Sequence, residues 1–229
     1  KWIGGHGIAI GGAVLDGGRF DWGASDKFPT IASAHYAMDG INFYEEFGPT
    51  AMTAKLRAEM MYNFGPCLSP TNAFHLLQGI ETLPLRMQRH IENTNALLSY
   101  LSAHDDVAWV RHPHLETHPQ HELAKRLMPK GAGSIITFGV KGGRDAGRAF
   151  IEAVELSSHL ANVGDAKTLG IHPASTTHSH IVPDAMKDGG LSDDMIRLSV
   201  GLEDIEDLKA DFLVCFKSAK RLIAPLAAE

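Results

Sequence analysis

The chain has 229 residues, a formal charge of -6 from 21 basic and 27 acidic side chains, and 44% hydrophobic residues. That is room for a sizeable core, more than one average domain and less than two. The acidic balance and the lack of a basic stripe argue against nucleic acid or membrane as partner, and no apolar run reaches the length of a membrane span. Two cysteines, Cys67 and Cys215, lie inside apolar helical patterns and read as reduced, buried thiols of a cytosolic protein. The first stretch, Lys1-Trp2-Ile3-Gly4-Gly5-His6-Gly7, sets one long amine beside backbone that can come close to a ligand. Such an amine can form a Schiff base. A phosphate-binding loop would want a strand before its glycines and a helix after them, whereas Ala13-Val14-Leu15-Asp16 continues as a strand. A glycine-rich connector with an accidental lysine is the bland alternative.

Further along, the branched and small apolar residues from Ile8 to Leu15 predict a buried strand pair. Residues Asp21 to Tyr44, with Pro29 and scattered aromatics, predict an irregular surface excursion. Met52, Leu56, Met60 and Phe64 recur at helical spacing, and Pro66 should end that helix. Ser69-Pro70 is a helix start, with a capping hydroxyl and a proline in the first turn. The long apolar pattern that follows runs to His104. Pro84 predicts a kink or break near Thr82 and a hinge between two domains.

Past His104 short strands alternate with helices. Val107 to Val110, Ser134 to Val140 and Ile196 to Val200 predict strands, the last alternating apolar residues with Arg197 and Ser199. Ala146 to Leu156 predicts a helix with Ala149, Phe150, Ala153 and Val154 on its apolar face, and Glu203 to Leu222 an amphipathic one whose charge order suits the helix dipole. Mixed strands and helices after a hinge suggest a small α+β domain packed on the first. His112, His114, His118 and His121 invite a zinc reading. Prolines 113 and 119 and the absence of nearby cysteines favour a solvated loop, with no metal.

Lys1 to Gly7 resemble the lysine half of the signature of the pyridoxal-phosphate-dependent enzymes of cysteine and methionine metabolism. There the lysine is followed by an aromatic, an aliphatic, any residue, glycine, histidine and a small residue. Gly79-Ile80-Glu81-Thr82-Leu83 with Leu85-Arg86-Met87 resembles that family's bridging helix. Ala161-Asn162-Val163-Gly164-Asp165-Ala166-Lys167-Thr168-Leu169 and Ile171 to Ser179 resemble its substrate-side segment, and Ile196-Arg197-Leu198-Ser199-Val200-Gly201 the strand that carries its carboxylate-binding arginine.

The resemblance implies an α/β, aspartate-aminotransferase-like fold, with residues 1-80 as the C-terminal part of the large cofactor-binding domain and 81-229 as the small α+β domain. It implies pyridoxal 5'-phosphate as cofactor and Lys1 as both the cofactor-binding and the catalytic residue. Arg197 would fork the substrate carboxylate, with Asn162 and Thr177 beside it. Two features, Phe43-Tyr44-Glu45-Glu46-Phe47-Gly48 and Gly164 to Leu169, bring the chain nearest the branch that replaces the acetate of O-acetyl-L-homoserine with sulfide. The same likeness implies roughly 200 further residues upstream, a homo-oligomer, tetrameric by family, and a cytoplasmic setting for methionine biosynthesis. Sibling reactions stay open, namely succinyl-ester sulfhydrylation, cystathionine synthesis and methionine lysis. So does a non-catalytic assembly module, because no group for the cofactor's phosphate, pyridine nitrogen or ring face is identified.

Overall fold

The structure is a computed structural model that describes residues 1-223. The chain forms two compact units, one of Ile10–Phe74 and the other of Lys1–Ala9 together with the chain from His75 onward.

In the first unit the helices are α1 (Pro29–Ala32), α2 (Phe43–Phe47), α3 (Ala51–Lys55) and α4 (Tyr62–Phe64), the last two joined by a π-helical segment, Leu56–Met61. The Asn42 side chain caps α2, accepting from the Tyr44 and Glu45 amides at 3.1 and 3.3 Å. Ile31, Phe43 and Ala51 are buried together under Trp22, Met38, Ile41 and Tyr44. The expected surface excursion therefore carries a small core of its own, built from its scattered aromatics. Glu59 accepts from Lys55 Nζ at 2.5 Å and meets the His35 ring, and these bonds hold its carboxyl below the usual range.

Two further expectations fail in this part of the chain. No strand pair forms over Ile8 to Leu15, which is irregular, with Ile10 86% and Leu15 88% exposed. Its apolar residues signal burial, but among the described residues no strand pairs with it. Cys67 is exposed rather than buried. Gly65 takes the left-handed conformation (φ 57°) after α4, so the helix has stopped before Cys67 is reached.

The larger unit takes most of α5 (Pro70–Ser102), then β1 (Val107–Arg111), α6 (His121–Leu127), β2 (Ile135–Val140), α7 (Gly143–Glu152), β3 (Ser158–His159), β4 (Leu169–Ile171), α8 (Pro183–Asp188), β5 (Met195–Ser199) and α9 (Ile205–Ile223). The sheet order is β1-β2-β5-β4-β3, antiparallel except between β3 and β4. Alternate residues of the central strands, Ile136, Phe138, Ile196 and Leu198, share a core with Leu97, Leu98 and Leu101 of α5, Phe150 and Ile151 of α7, and Phe212 and Phe216 of α9. Phe150 and Phe216 meet edge to face at 4.8 Å.

The three predicted strands and the last helix form as expected. By contrast α5 runs through Pro84 unbroken, so no break occurs at Thr82. Pro84 and Ile80 both lie on the exposed side, so the carbonyl left without a donor is not buried. α7 stops at Glu152 instead of Leu156, because Asp211 of α9 accepts from the Glu155, Leu156 and Ser157 amides at 2.8 to 3.2 Å and draws the chain out of the helix. The histidine-rich stretch is not wholly solvated either. His112 is 2% exposed, its Nδ1 accepting from the His114 amide at 3.1 Å, and burial lowers its pKa to about 4.

Candidate active site

Lys1 begins a tight turn closed by a 2.9 Å hydrogen bond from the Gly5 amide to the Lys1 carbonyl. The turn needs its glycine, since Gly5 has φ 75°, a conformation open mainly to glycine. The Lys1 side chain is exposed. The turn rests on α5, where Arg86 is 6% exposed. Arg86 Nη1 donates to the Trp2 carbonyl at 2.8 Å, Nη2 to the Ile3 and Gly79 carbonyls at 3.0 and 2.7 Å, and Nε to Thr82 Oγ1 at 3.2 Å. A Cβ at Gly79 would run into the Ile3 carbonyl oxygen. The Trp2 ring stands edge-on to His90 at 5.1 Å. Gly164 also packs on this ring, and an added Cβ there would lie 2.9 Å from it.

The loop that carries Gly164 connects this turn to β5. The Gly164 amide donates to Ser199 Oγ at 2.9 Å, the Ala166 amide to the Gly5 carbonyl at 2.7 Å, and the Leu202 amide to the Ala166 carbonyl at 2.8 Å. Glu203 accepts from the Thr168 amide and hydroxyl at 2.5 and 2.8 Å, and Thr168 Oγ1 accepts from the Gly201 amide at 2.8 Å. From α5, Asn93 donates to the Gly201 and Glu203 carbonyls at 3.0 and 2.9 Å, and His90 Nδ1 donates to the Val200 carbonyl at 2.6 Å. Burial is the main influence on His90 and keeps its ring neutral by pushing its pKa down.

Arg197 sits in the middle of β5, paired with Thr137 on one side and Ile171 on the other. Ile196 and Leu198 enter the core, so the pleat turns Arg197 to the opposite face. It is half-buried, and burial pushes its guanidinium pKa down. Nη2 donates to the Asn162 carbonyl at 3.5 Å, and among the described residues no carboxylate pairs with it. A partly buried cation without a counter-charge is a ready anion site.

Lys1, Asn162 and Arg197 thus belong to one bonded frame, joined through residues 162-166. Asn162 meets Arg197 by its backbone carbonyl, so that contact does not use the amide side chain. Thr177 is exposed just past the turn Pro173–Ser175, with Oγ1 bonded to His178 Nδ1 at 2.8 Å. That turn is held by His172, bonded to Ser175 Oγ at 2.8 Å and to the Asp193 carbonyl at 2.6 Å. The sequence assigns no role to Arg86, His90 or Asn93. They stand with Leu97 and Leu101 on one buried face of α5, polar residues where the helical pattern wants apolar ones, and that mismatch was the available signal.

Comparison with known proteins places the chain. The pattern of the Cys/Met metabolism PLP-dependent enzymes matches residues 1–217. O-acetyl-L-homoserine sulfhydrylase 1 of Thermus thermophilus is 46% identical over 211 residues, covering 92% of this chain and 50% of that protein. Homocysteine synthase of Schizosaccharomyces pombe is 46% identical over 213 residues, covering 93% and 50%. The chain therefore spans about half the length of the curated relatives it matches. A crystal structure of a putative O-acetylhomoserine (thiol)-lyase from Campylobacter jejuni, carrying N'-pyridoxyl-lysine-5'-monophosphate, superposes with a TM-score of 0.84 at 31% identity over 95% of this chain and 52% of that one. The expected α/β, aspartate-aminotransferase-like fold is borne out by this likeness. On this evidence the chain belongs to the PLP-dependent enzymes of cysteine and methionine metabolism.

Proposed function

We propose that the protein catalyses γ-replacement on O-acetyl-L-homoserine with sulfide, giving L-homocysteine and acetate, as a step of methionine biosynthesis. The observation that carries this reading is the frame joining the lysine turn to β5, which sets a solvent-accessible amine and a half-buried guanidinium, paired with no carboxylate among the described residues, on one support. The names of the relatives supply the substrate.

The residues fit pyridoxal 5'-phosphate in what this chain would contribute. The Lys1 amine is exposed on a glycine turn whose backbone is held by Arg86 of α5 and by the Ala166 amide. When bound, the cofactor supplies an aldehyde for an amine and a ring that takes up the electron pair left at the substrate α-carbon. Lys1 would hold the cofactor and, once displaced by the substrate amine, carry the α-carbon proton. Arg197 would grip the substrate carboxylate by two parallel bonds, fixing which α-carbon bond is broken, with Asn162 and Thr177 bordering that group. Sulfide is small and has no carboxylate, so the reaction needs no second clamp.

In this reading residues 1-80 complete the large cofactor-binding domain of an upstream half, and residues 81-229 are the small domain. The assembly is a cytoplasmic homotetramer. Side-by-side assays of the full-length protein test the reaction. O-acetylhomoserine with sulfide should give homocysteine faster than O-succinylhomoserine with cysteine gives cystathionine, or than methionine gives methanethiol. A preference for either of the latter would assign the protein to a sibling activity.

A further inference from the structure

We propose that Arg86 is a positioning residue for the lysine turn, fixing the direction in which Lys1 leaves the backbone by binding the carbonyls of the two residues that follow it. The inference rests on the reading of Lys1 as the cofactor lysine. Arg86 is 6% exposed, and among the described residues no carboxylate balances it. A buried cation without a counter-charge is costly, and a leucine or methionine at that point of the α5 face would avoid the cost.

What the arginine gains is specific. Its planar fork spans the Trp2, Ile3 and Gly79 carbonyls at 2.7 to 3.0 Å, while Nε is anchored on Thr82. Two carbonyls in succession fix the peptide planes on either side of the Ile3 Cα. The Gly5 amide fixes the Lys1 carbonyl at the other end of Trp2. Gly79 is part of the device, since only a residue without a Cβ lets the Ile3 carbonyl reach the helix. Trp2 packs against both His90 and Gly164, which adds to the hold on the turn. An ammonium could not span the same acceptors, because it lacks the rigid fork.

The test uses the full-length protein with Arg86→Lys and, as a second route to the same displacement, Gly79→Ala. In the apoprotein, hydrogen exchange at residues 2-7 should rise by about tenfold or more while exchange in β5 stays as in wild type. In the loaded enzyme, kcat should fall about 10- to 100-fold with KM for the amino acid within about threefold, as expected when a reactive group is misplaced. The pH titration of the cofactor's visible band should shift. Asp211→Asn, which removes an acceptor of three backbone amides elsewhere in the same unit, serves as the control. It should lower the melting temperature without moving the band.

Wild-type exchange and band titration in folded Arg86→Lys would overturn the proposal, as would the same band shift in Asp211→Asn. If Arg86→Lys does not fold, wild-type behaviour of Gly79→Ala overturns it alone. Mapping the cofactor in the wild-type protein separates the two levels. A label on another lysine sinks the Lys1 reading and this proposal with it, whereas a label on Lys1 with an unaltered Arg86→Lys variant sinks this proposal only.

Discussion

Among the described residues neither Arg197 nor Arg86 has a carboxylate partner, yet their surroundings differ. Arg86 spends its donors on backbone carbonyls, whereas Arg197 makes one long bond, 3.5 Å, to the Asn162 carbonyl and keeps most of its fork free. If Arg197 forks the substrate carboxylate as proposed, Arg197→Lys replaces two directed bonds by a point charge. The expected outcome is a loss in kcat/KM for the amino-acid substrate of about 2 to 4 kcal/mol, with the cofactor absorbance retained. Steady-state kinetics of the variant checks this, and near-normal values would return Arg197 to a packing role. At this scale the sequence was informative where a residue stood in a long phrase, as Arg197 does. Arg86 also stands in such a phrase, but its role was not legible there, because three of its four acceptors are backbone carbonyls, two of them more than 80 positions away.

Among the elements, β2, β5 and α9 were legible because each buries one face within this chain, so periodicity and burial agree. The segment Ile8 to Leu15 was misread for the opposite reason, since its composition asks for a strand partner that the described residues do not provide. Cys67 shows how a local turn overrides composition, whereas Cys215, buried in α9, has its thiol pKa pushed up to about 12 by burial and stays an inert core residue. The loop after β1 yields a pH prediction. His112 has its folded-state pKa lowered from 6.5 to about 4 by burial, so the unfolded chain takes up this proton first as pH falls. Stability from this group is therefore intact above pH about 6.5 and declines until pH about 4, by about 3 kcal/mol in all. His90 and His172 are lowered by burial too and act in the same direction. Urea unfolding at pH 7 and pH 5 should show the loss. His112→Asn, which can still accept from the amide two residues on, should flatten the slope by part of one proton, and an unchanged slope would exclude His112 as a contributor.

For the whole molecule, a chain about half the length of its curated relatives contains the lysine turn and the Arg197 strand, while no described residue in it is identified for the cofactor's phosphate or ring. The 229-residue chain expressed alone should accordingly bind pyridoxal phosphate weakly or not at all by absorbance titration. Tight binding would show that those groups lie within it. The central claim, that Lys1 is the residue that holds the cofactor, has a direct measurement. Borohydride reduction of the loaded full-length protein followed by peptide mapping should place the pyridoxyl group on the peptide containing Lys1, and finding it on any other lysine would contradict the account.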